Sequence, residues 1–484
     1  MLPPIIKRAR ECAPYRRRER GVTMALVALS MVAIISFAAL AIDLGFVYEA
    51  KAEAQRAADA AALTAARVIS VSGITGDPAN IGLNWASVCG PSGTATLAAT
   101  TVAQQNLIGG AAPSKVTVLY GTNAGIPSNP DCSSSAGAGF GINPVVSVYV
   151  QQANLPTFFA RIFSLIPNGT FSNSGVSATA YAEAFNPSDS NGGSPIPVQP
   201  RCVKPWVVPN LDPRHTSAPT FVTVATSQIT SPGMYATNPL GVIGERFFLV
   251  PDCTPGNPTC DLFGGSGNPP GTTPTGLQYV PGQASSIPPV AIPSNGSTCS
   301  DVISSYAQDI AGCDQSTVYQ CGVVRGFNNN YSVDLSENPA NGDTQNAVQC
   351  LIHQTAPNIA GPSGQDTLGS FTTGTPPSFP FQILAGGNNP LVGAGLTSGS
   401  VITASSSIVS LPIYDQTNPG ALTVPGSTNV TIVGFLQVFI NGVDTTLGVD
   451  VTVLNVSGCG NAVSSSAPAV TGSSPVPVRL ITPP

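Results

Sequence analysis

From Val22 to Ile42 the chain runs 21 residues, VTMALVALSMVAIISFAALAI, without one charged side chain. As a helix rising 1.5 Å per residue this stretch is about 31 Å long, enough to cross the hydrocarbon core of a bilayer. Lys7, Arg8, Arg10, Arg16, Arg17, Arg18 and Arg20 stand just before it. A basic cluster at one end of an apolar span holds that end in the cytoplasm, so the rest of the chain is expected outside. Residues 1–21 therefore read as a cytoplasmic basic segment and 22–42 as a transmembrane helix. The rival reading is a cleaved secretory signal, because Ala39-Leu40-Ala41 fits a small-x-small cleavage site. The anchor is preferred because the apolar run exceeds a typical signal core and the sequence beyond it continues as helix.

That continuation, residues 43–68 (DLGFVYEAKAEAQRAADAAALTAARV), is rich in strong helix formers and has no Pro. It predicts an Ala-rich stem helix. Ala54, Ala58, Ala61 and Ala65 recur at i, i+4, i+7 and i+11, a narrow stripe of small side chains that another element can approach closely. Ala41 and Gly45 form a small-xxx-small pair near the membrane edge. The stripe packs either on the chain's own exported domain or against a partner subunit, and the residues leave both open.

The order of these features resembles the N-terminal segment of TadG-like proteins. An Arg-rich start is followed by Gly21, an apolar span, Ala41-Ile42-Asp43-Leu44-Gly45 and then Gln55-Arg56-Ala57-Ala58-Asp59-Ala60-Ala61-Ala62-Leu63. These proteins belong to the tight-adherence (Tad/Flp) pilus machinery. The resemblance implies an inner-membrane-anchored, largely extracytoplasmic component of pilus assembly or related secretion. It implies other assembly subunits as partners, is compatible with a homo-oligomer, and implies no enzymatic activity. The chain departs from processed prepilins, because the fifth residue after Gly21 is Leu26 rather than Glu. Some TadG-like proteins also resemble von Willebrand A domains, but Asp334-Leu335-Ser336-Glu337-Asn338 lacks the second Ser of that metal motif.

Composition narrows the remainder. Charged residues make up 9% of the 484, against roughly 25% in ordinary soluble domains. With 50 Gly and 46 Pro as well, long bundles and coiled coils are excluded for most of the length. Residues 1–20 carry net +5 and residues from 69 onward net −10, which disfavours nucleic-acid binding by the body. The expected fold class is α+β. A small exported α+β module covers 69–185, a Pro/Gly/Ser linker 186–200, and a mainly β domain 201–484 with a low-complexity surface loop at 251–294. In the first module β-like runs lie at 115–120, 144–151 and 175–185, with a helical pattern at 155–166. Beyond the linker, strands are expected at 221–225, 246–250, 407–413, 430–440 and 447–456, and a helix near 299–312. Asn441-Gly442 reads as a hairpin turn between the last two strands.

Removing Cys12 from the 11 cysteines leaves an even exported set, which suggests bridges in an oxidising compartment. The local guesses are Cys89 with Cys132 and Cys253 with Cys260, with Cys299, Cys313, Cys321 and Cys350 pairing among themselves. Zinc is the weaker alternative, since no CxxC occurs and His215 and His353 are far from ligand spacing. Catalytic motifs are missing: there is no GxSxG around a nucleophile, no HExxH and no Walker loop. Asp301, Asp309 and Asp314 read as cap or surface residues, and Asp334, Glu337 and Asp343 lack the spacing of a Ca²⁺ loop. The expectation is a non-enzymatic single-pass inner-membrane protein with no cofactor, no metal and no catalytic residue. An envelope-anchored adhesin or surface structural protein is the first alternative, and an exported hydrolase the second.

Overall fold

The computed structural model describes residues 19–76, 85–122, 125–132, 140–156, 159, 175–188, 198–215, 220–226, 228–235, 241–251, 272–273, 276–284, 299–300, 302–314, 316–319, 330–334, 337, 343–357, 362–369, 381–416, 429–444, 448–458 and 470–483. Helix α1 joins the expected span and stem into one element of 53 residues, Glu19–Val71. At 1.5 Å per residue that is about 80 Å. Its two halves differ. Side chains from Val22 to Met31 are all exposed, whereas Ala50, Ala54, Ala57, Ala58, Ala61, Ala62, Ala65 and Ala66 are buried. Within the apolar half the Ser30 and Ser36 hydroxyls donate back to the carbonyls of Val27 and Val32, so no polar group there needs an outside partner. The helix stops where Ser72 and Gly73 follow, and Gly73 takes φ +88°, a left-handed turn open to a residue without Cβ.

The buried half of α1 covers a four-stranded antiparallel sheet. Its strands, in spatial order, are β1 (Lys115–Thr122), β2 (Pro144–Gln152), β3 (Val176–Ala184) and β17 (Val478–Ile481). The fourth strand comes from the far end of the chain and pairs Val478 with Ala184 through Ile481 with Tyr181. Two helices, α2 (Ala86–Cys89) and α3 (Thr94–Gln105), add cover beside α1. In β3, Ala178, Ala180, Ala182 and Ala184 alternate to one buried face. Ala95, Ala99 and Ala103 bury one face of α3. Small side chains thus meet small side chains, and the backbones lie close.

The rest is built around a closed ring of strands. After β4 (Val198–Pro200) come β5 (Trp206–Pro209), β6 (Arg246–Pro251), β7 (Thr272–Thr273) and β8 (Gly276–Pro281). Then follow α4 (Ser305–Ala311), β9 (Asn330–Ser332), α5 (Asp343–Ile352), β10 (Thr367–Leu368), β11 (Ile383–Leu384) and β12 (Val401–Ile402). The long strands are β13 (Ile408–Tyr414), β14 (Asn429–Asp444) and β15 (Gly448–Gly458), with β16 (Val470–Gly472) last. Pairing runs β13-β5-β8-β6-β15-β14, and β14 pairs back to β13, which closes a six-stranded barrel. Closure satisfies the edge hydrogen bonds that an open sheet leaves exposed. Strands β10, β11 and β12 form a separate small antiparallel sheet, and β16 pairs β4 in parallel. Large side chains fill the barrel region: Trp206, Phe247, Tyr279, Phe435 and Phe439 are all fully buried.

The α+β class, the five long apolar strands at 115–122, 144–152, 176–184, 429–444 and 448–458, and the helix near 305–311 agree with the pattern read from the residues. Four local expectations are corrected. Asn441-Gly442 is not a turn: it lies inside β14, where the register shifts between Ile440 and Gly442, and the strand continues to Asp444. Neither residue takes the positive φ that a tight hairpin turn would require there. Residues 221–225 form only an isolated bridge from Val222 to Ile229. Part of the stretch expected as surface loop, 251–294, carries barrel strand β8, with Leu277, Tyr279 and Val280 fully buried. Cys313 bonds Cys202 rather than a neighbour in its own cluster, while Cys89–Cys132 and Cys299–Cys350 form as local pairs. The Cys253–Cys260 pairing, Cys321 and most of the 155–166 helical pattern lie outside the described residues.

Candidate functional site

The stem stripe is the residue set that the sequence singles out, and the structure places it inside the chain. Ala54, Ala58, Ala61 and Ala65 are each fully buried in one core with Ala178, Ala180 and Ala182 of β3. Polar residues on α1 fasten the same contact. Glu53 Oε2 accepts the backbone N–H of Gly109 at 2.6 Å, and Lys51 donates to the Ser177 carbonyl. Closer to the membrane span, Asp43 is buried and its Oδ2 accepts from the Phe159 backbone at 3.0 Å. Ala41 and Gly45 face outward instead, and a Cβ at Gly45 would meet nothing within 4 Å.

α1 therefore has an exposed apolar half, followed by a half inseparable from the first module. Residues 21–68 match the family model described as "Putative Flp pilus-assembly TadE/G-like". No curated protein and no solved structure matches the chain. The TadE/G-like segment coincides with α1 from the start of its apolar run to just before its end. By length and composition this is one helix able to cross a membrane, with its apolar window wholly uncovered by the rest of the chain.

A cavity of about 450 Å³ lies between this segment and the small sheet of β10, β11 and β12. Thr64, Val68 and Val71 of α1 and Leu97 of α3 line one side, and Phe381, Ile383 and Ile402 the other. Buried polar contacts join the end of α1 and the turn after it to barrel strand β15. Thr75 Oγ1 lies 2.9 Å from Asn455 Oδ1, Asn455 Nδ2 donates to the Ser70 carbonyl, and Asn186 Nδ2 donates to the carbonyls of Thr75 and Val456.

A second cluster escaped the sequence reading. Asp212, His215 and Glu245 each offer a ligand atom within 4.8 Å of the others, and all three are buried. The loop after β5 supplies Asp212 and His215. Asn210 fixes that loop, its Nδ2 donating to the Val222 carbonyl at 2.7 Å and its Oδ1 accepting from the Val222 N–H at 3.0 Å. Asp212 Oδ1 caps the following turn by accepting the N–H groups of Arg214 (2.9 Å) and His215 (3.2 Å). Its Oδ2 lies 2.6 Å from His215 Nδ1, and Glu245 Oε1 lies 3.0 Å from that same nitrogen. Glu245 precedes β6, where its carbonyl accepts from the Val453 N–H at 2.8 Å. Burial pushes the Glu245 carboxyl up to about 10, the Asp212 charge pushes the same way, and Arg214 opposes. Arg246, next in sequence, is committed to Asp450 through two contacts from Nε at 2.8 and 3.0 Å.

The other acidic sets are not brought together in this way among the described residues. Asp314 Oδ1 caps its own loop through Ser316 and Thr317, and Asp343 accepts from Ser304 Oγ at 2.6 Å. Asp301 lies outside the described residues. The chain spacing of 30 residues between His215 and Glu245 gave no motif to find, which is why the sequence pointed away from His215.

Proposed function

We propose that this protein is a non-enzymatic, single-pass membrane component of a Tad/Flp-type pilus assembly or of the related secretion apparatus. Its N-terminus lies in the cytoplasm and its body outside. One observation carries the reading: the TadE/G-like match falls on a helix whose first half is bare and apolar and whose second half is built into the core of the first module. Such a helix anchors the body and also fixes its distance from the membrane. The basic cluster before the span supports the cytoplasmic placement of the N-terminus, and the bridged cysteines support an oxidising exterior for the body.

The test has two arms. In intact cells Cys12 should resist membrane-impermeant thiol reagents while the body is open to added protease. Deleting the gene should abolish pili or the linked secretion. Reversed accessibility would refute the topology. Normal piliation with lost surface attachment would instead favour the adhesin reading.

A further inference from the structure

We propose that the base of the first module is a lipid-contact surface, with Leu44 and Tyr48 of α1, Leu107 of the loop after α3 and Phe159 of the loop after β2 lying in the interfacial layer of the bilayer. Given the single-pass reading of α1, on which this rests, the module is seated on the membrane rather than held clear of it. Asp43 is the only charged side chain between Arg20 and Glu49, yet it does not end the apolar surface. It is turned inward and buried, with Oδ2 accepting the Phe159 N–H, so the carboxylate is withdrawn from the outer side of the helix. The exposed side therefore stays apolar through Leu44 to Tyr48. As a helix Val22–Tyr48 is about 40 Å long, more than the roughly 30 Å hydrocarbon core and close to the roughly 40–45 Å of a bilayer with its headgroup layers. Leu44 and Tyr48 thus reach the headgroup layer on the exported side, where the amphipathic ring of Tyr is favoured.

The module brings two loops down to this height. α3 lies beside the far end of α1, where Thr94 and Leu97 share the cavity with Thr64 and Val68, and it runs back towards the span. The loop that follows passes Phe46 of α1. There the Gly109 N–H donates to Glu53, and a Cβ on Gly109 would lie 3.3 Å from the Phe46 ring and 2.9 Å from Leu155. Leu155 belongs to the loop after β2, which continues to Phe159 at Asp43. Each loop exposes a large apolar side chain, Leu107 at 54% and Phe159 at 38%, beside Leu44 at 48% and Tyr48 at 74%. A single exposed Leu is ordinary. Four such side chains continuous with a bare apolar span are not, and the span fixes what covers them, because the lipid around Leu40 and Ile42 ends in a headgroup layer at this height.

The experiment adds one Trp at a time to the full chain, reconstituted in phosphatidylcholine vesicles whose acyl chains carry bromine, a contact quencher, at either a shallow or a deep position. Trp85 and Trp206 are buried in the body, so the wild type sets an unquenched baseline. Met31→Trp, in the middle of the span, should lose its added emission mainly to deep bromine. Leu107→Trp and Phe159→Trp should lose theirs mainly to shallow bromine. Both positions are exposed, so the larger ring needs no room in the core. If Met31→Trp is quenched and either Leu107→Trp or Phe159→Trp is indifferent to bromine, the base stands clear of lipid and is open to a partner subunit, and the proposal falls while the span remains. If Met31→Trp is indifferent as well, the single-pass reading falls and the lipid-contact surface falls with it.

Discussion

The core beneath α1 and the core of the barrel bury their backbones with side chains from opposite ends of the size scale. Under α1 the contact is alanine on alanine: Ala54, Ala58, Ala61 and Ala65 meet Ala178, Ala180 and Ala182. In the barrel region Phe247, Tyr279, Phe439 and a large set of Val, Leu and Ile fill the space between strands. The first arrangement gains from close approach of backbones and has little room for added volume. The second gains from buried apolar area and loses most when volume is removed. A rod that must pass from a membrane onto a sheet without a gap suits the first. A barrel that closes on itself needs the second, because its interior has to be filled.

The chain carries a probe for each region, since its two Trp are Trp85 in the alanine core and Trp206 in the barrel core, both buried. Trp206→Phe leaves the first module as the fluorescent reporter, and Trp85→Phe leaves the barrel. The largest expected effect is Phe439→Ala, which removes a fully buried ring from β14 and should cost about 3–5 kcal/mol. Denaturant unfolding followed at Trp206 should shift by that amount, with a smaller change at Trp85. Equal shifts at both reporters would show that the two cores unfold as one unit, joined through Asn455 and Thr75.

Next in size is the opposite substitution in the other core. Ala58→Leu adds volume where α1 meets β3 and should cost about 1–3 kcal/mol by overpacking, read at Trp85 and not at Trp206. A truncation such as Val146→Ala beside it would distinguish tight packing from simple apolar burial. If Ala58→Leu left Trp85 melting unchanged, the helix would lie farther from the sheet than the alanine pairing indicates.

How far the residues revealed this organisation depended on whether the deciding interaction was local. The apolar span, the alanine stripe and the alternation in residues 176–184 are all written in neighbouring positions, and each was legible. Strand β8 was hidden because its apolar residues sit in Pro/Gly-rich surroundings, and only pairing with β5 and β6 makes them a strand. Asn441-Gly442 has the composition of a tight turn, but in the long register of β14 with β15 it stays within the strand and only the pairing shifts there. The sheet of the first module takes β17 from the end of the chain, a contact no local pattern encodes. The Asp212–His215–Glu245 cluster is of the same kind, assembled by two loops that the barrel brings side by side.

The smallest effect separates the regions by charge. Lys204, just before β5, is buried, with Nζ 3.5 Å from the Asp309 carbonyl and 2.5 Å from that of Gly312. Burial pulls its ammonium down to about 7 from 10.5, with Asp309 opposing. Between those values the unfolded chain binds the proton more tightly than the folded one, so the Lys204 contribution raises stability as pH rises from about 7 towards 10.5. Below about 7 both states are protonated and the cost of burying the charge is paid in full. The Glu245 carboxyl, raised to about 10 from 4.5, slopes the other way over that range, since the folded state then holds the extra proton. Comparing the wild type with Lys204→Met cancels the Glu245 part. The stability of the wild type minus that of the variant, followed at Trp206, should climb between pH 7 and 9 by at most about 1.4 kcal/mol per pH unit. At Trp85 the same difference should stay flat. A flat line at Trp206 as well would mean that the carbonyls of Asp309 and Gly312 hold the ammonium charged, making Lys204 a fixed cation that staples α4 to β5.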